Sequence, residues 1–145
     1  MRRIARWLGA AALTVVTTIL LVPAPAQAAV GGPVCGEDCR MATKDAICWE
    51  TEMCPIALVI TGKLPKGGAE VRFWTEDLRA VAPDDYRPVK DGLLKFAEGD
   101  TEGRIVIELV ADGKVEPEEA LRVWLSTGVG EPFPVTVTIL DGEPR

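Results

Sequence analysis

In the stretch APDDYRPV, residues 82–89, two aspartates stand side by side in a loop fenced by prolines. Acids recur in the other connections: Glu50 and Glu52 near the start of the patterned region, Asp112, Glu116, Glu118 and Glu119 in and around DGKVEPEEA, and Asp141 and Glu143 near the last residues. Carboxylates brought together from separate loops repel one another. At a spacing of ~4 Å and an effective dielectric of ~20, the cost is roughly 4 kcal/mol per pair. A hard divalent cation removes that cost. Calcium takes about six to eight oxygen ligands in flexible geometry, which suits acids drawn from several loops better than zinc or copper chemistry does. The other reading of the same residues is a set of ordinary solvated turns.

Catalysis is not expected. The chain has no histidine, which removes the commonest general base, histidine metal sites and the Ser-His-Asp and Cys-His arrangements. No nucleophile stands beside a base, and no glycine-rich loop is placed to cradle phosphate.

The elements that must position these acids read as strands. Period-two alternation runs through PIALVITGKL (Ile56, Leu58, Ile60), AEVRFWTE (Val71, Phe73, Thr75), RIVIELV (Ile105, Ile107, Leu109), ALRVWLS (Leu121, Val123, Leu125) and PVTVTIL (Val135, Val137, Ile139). With the shorter runs AICWE and LLKF this predicts seven strands, each bounded by Gly, Pro or Asp. Strict alternation gives each strand one buried and one wet face. Seven such strands in about 100 residues predict an all-β, immunoglobulin-like antiparallel β-sandwich. Connections in such a sandwich alternate between its two ends. The loops after the third and fifth strands, and the exit of the seventh, therefore fall at one end, where their acids converge.

Residues 1–29 read as a secretory signal peptide: three arginines without an acid, the apolar run AALTVVTTILLV, and a small-residue end with Ala26-Gln27-Ala28 in the A-x-A form. Without those arginines, 13 basic residues face 22 acidic ones, a net charge of −9. Nucleic acid and anionic lipid both require basic patches, so neither is an expected partner. Export is the expected route, with no membrane association after cleavage. Cys35, Cys39, Cys48 and Cys54 form an even set close together. In an exported chain they are expected to pair as disulfides, in any of three connectivities, rather than to bind a metal as four thiolates. Residues 30–46 are read as a disulfide-tied N-terminal arm and 47–145 as the sandwich.

The blocks VRFWTEDLRAVAPDDY, KDGLLKFAEGDTEGRIVIELVADGKVEPEEALRVWLS and VTVTILDGE resemble, in order and spacing, successive blocks of a Calx-beta domain. The resemblance spans roughly residues 47–143. It implies a seven-stranded immunoglobulin-like sandwich that binds calcium in its distal loops. Carried over by position, Asp85 matches the acid before the aromatic Tyr86, Asp112 the second member of an Asp pair, Glu116 the glutamate of the acidic turn, and Asp141 the first acid after the last strand. Glu50 matches the glutamate at the domain start across a one-residue gap, and Glu119 and Glu143 complete the candidate metal ligands. Ala111 stands where the first Asp of the pair is expected, Gly142 interrupts the terminal acidic run, and Leu78 and Pro83 replace turn glycines. These departures imply a reduced site, holding one ion or binding it weakly.

Trp74 and Trp124 fall on the polar phase of their strands, with Arg72 and Arg122 nearby. Either they form an outward patch for an extracellular protein or glycan, or the cysteine arm folds back and covers them; cover by the arm is the expectation. The whole chain is expected to be a secreted, monomeric, non-enzymatic binding or adhesion module. The alternative is a calcium-independent, disulfide-stapled scaffold acting as a secreted inhibitor or effector.

Overall fold

The computed structural model describes residues 31–50 and 53–142. The expected signal peptide and Glu143 lie outside the described residues. Nine strands follow one another: β1 (Val34–Gly36), β2 (Cys39–Ala42), β3 (Ala46–Trp49), β4 (Met53–Gly62), β5 (Ala69–Asp77), β6 (Gly92–Phe96), β7 (Glu102–Glu108), β8 (Glu119–Ser126) and β9 (Phe133–Leu140). They form two sheets, ordered β1-β2-β4-β7 and β3-β9-β8-β5-β6. Strands β3 to β9 are the seven that alternation predicts. Among the described residues there is no helix.

The alternating residues meet between the sheets. Cys54, Ile56 and Leu58 of β4 and Ile105 and Ile107 of β7 are buried, as are Val71 of β5, Leu121, Val123 and Leu125 of β8, and Val135, Val137 and Ile139 of β9. Fully burying an aliphatic side chain contributes about 1.5–3 kcal/mol, so this row is the main source of cohesion. Gly92 opens β6 because a Cβ there would stand 2.3 Å from the ring of Phe73.

Two features depart from an all-antiparallel seven-stranded reading. First, the disulfide-tied N-terminal arm, described from residue 31, contributes strands of its own. β1 and β2 form a hairpin closed by the Cys35–Cys39 disulfide, and β2 extends the first sheet by pairing with the last residues of β4, from Ala42↔Val59 to Cys39↔Gly62. The pieces are too short for period-two alternation to stand out beside Gly and Cys. Second, β3 pairs in parallel with β9, from Ala46↔Val137 to Trp49↔Leu140. After β2 the chain crosses at Thr43–Asp45 from one sheet to the other. The Asp45 carboxylate accepts the backbone N–H of Thr136 in β9 at 2.8 Å and anchors the crossing. The second disulfide, Cys48–Cys54, then ties β3 to β4 across the sandwich.

Candidate metal centre

The connection from β5 to β6 is built around Tyr86, whose side chain is only 1% exposed. Its hydroxyl donates to Asp77 Oδ1 at 2.5 Å, and the Ala82 N–H donates to the same oxygen at 3.1 Å. Those two donors hold the Asp77 carboxyl below its ordinary pKa, Tyr86 having the larger effect. Burial, then the bond to Asp77, push the Tyr86 phenol up to about 12. Asp77 is thus an anchor for the loop. Beyond Tyr86 the segment is pinned to the end of β7: Val110 N–H donates to Asp85 O, and Arg87 N–H to Glu108 O, each at 2.9 Å. The Asp85 carboxylate accepts the Val81 N–H at 2.6 Å. Tyr86→Phe removes a charge-assisted hydrogen bond from a buried ring, so a loss of about 1.5–2 kcal/mol is expected in denaturant unfolding. An unchanged midpoint would show that the loop does not depend on it.

The two aspartates of DDY part company. Asp84 is exposed. Asp85 lines a small recess together with Glu50, Glu116, Pro117, Glu119, Ile139 and Asp141. One carboxylate oxygen from each of Asp85, Glu116 and Glu119 lies within 4.8 Å of the others. Each acid arrives on a different part of the fold. Glu119 is the first residue of β8, opposite Ile139 of β9. Glu50 and Asp141 immediately follow the paired ends Trp49 and Leu140 of β3 and β9, so the parallel register sets them side by side. The Glu50 N–H donates to Leu140 O at 2.9 Å and continues that ladder by one residue.

The segment between β7 and β8 closes over these acids through its backbone. The Glu116 N–H donates to Asp141 Oδ2 at 2.6 Å, and the Asp112 N–H to Glu50 Oε1 at 3.0 Å. Electrostatically the recess is under-compensated. Burial, then the charge of Asp85 and a side-chain hydrogen bond with it, then the charge of Glu116, raise the Glu119 carboxyl above its ordinary pKa, with Arg79 opposing. Hard oxygen donors that carry excess negative charge, with neither histidine nor thiolate among them, fit calcium rather than a softer metal.

Five of the seven candidate ligands, Glu50, Asp85, Glu116, Glu119 and Asp141, therefore meet in one recess. Glu143 falls outside the described residues. Asp112 stands apart: its Oδ1 accepts the Lys114 N–H at 2.8 Å, and its Oδ2 meets the Lys114 ammonium. Sequence reasoning passed over Lys114, Arg79 and Arg87, the cations of the groove outside the recess. A lysine two residues after a candidate aspartate was the available signal for the first.

The cysteine arm does not cover the tryptophans. It belongs to the β4 sheet, whereas Trp74 and Trp124 are direct cross-strand partners in the other sheet. Their rings stack with centroids 6.4 Å apart and 17° between planes. Trp124 Nε1 donates to Glu76 Oε2 at 2.7 Å, and the Arg122 guanidinium lies 5.5 Å from the Trp124 ring centre. The indoles half-bury each other, which is why both tolerate the outward phase.

The sequence profile of the Calx-beta domain family matches residues 50–143. No curated protein sequence matches the chain. Among solved structures, the apo form of the Calx CBD1 domain is similar at 27% identity and a TM-score of 0.61, the alignment covering 74% of this chain and 100% of that one. The calcium binding domain CBD12 of CALX1.1 is similar at 31% identity and a TM-score of 0.61, with 70% of this chain and 44% of that one covered. The Calx CBD2 domain, at 16% identity and a TM-score of 0.57, shares the fold.

Proposed function

The chain belongs to the Calx-beta domain family, and from that premise we propose that it is a secreted, non-enzymatic binding or adhesion module whose loop end is made rigid by one calcium ion. The observation that carries this reading is the convergence of carboxylate oxygens from Asp85, Glu116 and Glu119 to within 4.8 Å. Glu50 and Asp141, which line the same recess, complete the set that would hold the ion. Calcium supplies counter-charge there and joins the ends of β3, β8 and β9 to the two connections that carry Asp85 and Glu116. Ala111 and Gly142, at two positions where the family pattern has acids, support a site for a single ion. Two disulfides support an oxidising, extracellular setting. Among the described residues no helix is long and apolar enough to cross a membrane. The partner of a monomeric module is an extracellular protein or glycan.

One observation favours the alternative, a calcium-independent scaffold for a secreted inhibitor or effector. Glu50 and Asp141 already accept backbone N–H groups, so part of the acid cluster holds the loops without any cation.

Thermal unfolding of the purified protein separates the two readings, first with chelator, then with calcium, with magnesium as control. A ligand at a hundredfold excess over its dissociation constant stabilises the folded state by ~2.7 kcal/mol, about 10 °C for a domain of this size. A rise with calcium alone supports the module. An unchanged midpoint leaves the scaffold.

A further inference from the structure

Asp112 is the one candidate ligand among the described residues that does not line the recess, and a single residue occupies both its oxygens. The Lys114 N–H donates to Oδ1 at 2.8 Å, and the Lys114 ammonium meets Oδ2. The lysine side chain is 71% exposed, so charge rather than packing holds it there. Lys114 lies in the outer groove that also contains Asp84, Asp85, Asp112, Glu116 and Glu119. The ammonium therefore stands among the acids on the solvent side of the recess, on the connection that supplies Glu116.

We infer that Lys114 is a built-in counter-cation that keeps Asp112 off the recess and competes with calcium for the acids of the β7–β8 connection. The inference rests on the calcium reading above and adds what sets the affinity. A lysine ammonium supplies one charge in place and at no cost of recruitment. A divalent ion must enter against its field, and Asp112 joins the ion only after releasing it. Lys114 thereby weakens calcium binding and makes it dependent on ionic strength, because an exposed pair is screened by salt.

The test is a calorimetric calcium titration of the purified native protein, Lys114→Met and Lys114→Arg, at low and at high salt. Lys114→Met is expected to bind about fivefold more tightly than native at low salt, the scale of one exposed ion pair. The gap is expected to narrow at high salt, with Lys114→Arg close to native. Calcium-free unfolding of the three proteins guards against a change in fold. Equal affinities for native and Lys114→Met overturn the inference and leave the calcium site standing. Binding by Lys114→Met alone supports it and identifies Lys114 as the block in the native chain. Binding by neither overturns both the inference and the calcium reading.

Discussion

Replacing Glu119 with glutamine is expected to raise the unfolding temperature of the calcium-free protein and to remove most of the rise that calcium produces. Glu119 is the acid whose protonation the recess favours, for reasons of burial first, then the charge of Asp85 and a side-chain hydrogen bond with it, then the charge of Glu116. Carboxylate oxygens within 4.8 Å of one another repel by at least roughly 3 kcal/mol per pair at an effective dielectric of ~20. Solvent screening at this half-open site reduces the recoverable part to about 1 kcal/mol. Glutamine keeps the shape and removes that repulsion. It also removes a charged calcium ligand, and affinity follows ligand charge, so calcium binding is expected to weaken roughly ten- to a hundredfold.

The pH dependence carries the same sign. A carboxyl whose folded pKa is raised keeps its proton where the unfolded chain has already lost it. Calcium-free stability from this group is therefore full below the unfolded value, near 4.5, and declines as pH rises through the folded value. Calcium must displace that proton, so its affinity falls as pH is lowered into the same window. Asp77 acts oppositely. Its folded pKa lies below the ordinary 3.8, so its contribution is present above that value and is lost as pH falls through the folded one. Unfolding midpoints against pH, with and without calcium, check both. A lower midpoint for calcium-free Glu119→Gln, or an undiminished calcium rise, would remove Glu119 from the centre of the site.

Removing the Cys48–Cys54 bridge, as Cys48→Ala with Cys54→Ala, is expected to cost about 3 kcal/mol and to weaken calcium binding as well. Closing so short a loop contributes about 2 kcal/mol through the unfolded chain. The remainder comes from buried sulfur, since Cys54 is 0% and Cys48 7% exposed. The bridge also sits beside the site. Cys48 pairs with Ile139 two residues before Glu50, and Cys54 is the second residue of β4, so the bridge fixes the strand that delivers Glu50. The Cys35–Cys39 bridge closes only the β1–β2 hairpin; its cysteines are as buried, so its removal is expected to cost a similar amount of stability but to leave calcium affinity unchanged. Denaturant midpoints and calcium titrations of the two double variants make the comparison. Equal losses of calcium affinity would show that the sheet-to-sheet staple has no special role.

The seven strands, their inward phases and the placing of most of the acids in connections were legible from the sequence because they are local, although Glu119 opens β8. Alternation such as Leu121, Val123, Leu125 records one buried face, and Gly, Pro and Asp mark where a strand must stop. Order and spacing of the blocks also carried the family. What the one-dimensional record lacks is partnership between distant segments. Nothing in AICWE says that β3 runs parallel to β9, yet that register sets Glu50 beside Asp141. Nothing in the cysteine spacing chooses Cys48–Cys54 over its rivals, because the choice depends on two strands meeting from opposite sheets. Trp74 and Trp124 are expected from sequence to lie under the cysteine arm, and only the β5–β8 register shows that they shield each other instead. Asp112 differs from Asp85 for the same reason. Which aspartate faces the recess and which turns to a lysine two residues away depends on how the loop lies over the sandwich, a packing outcome that side-chain type and spacing do not encode.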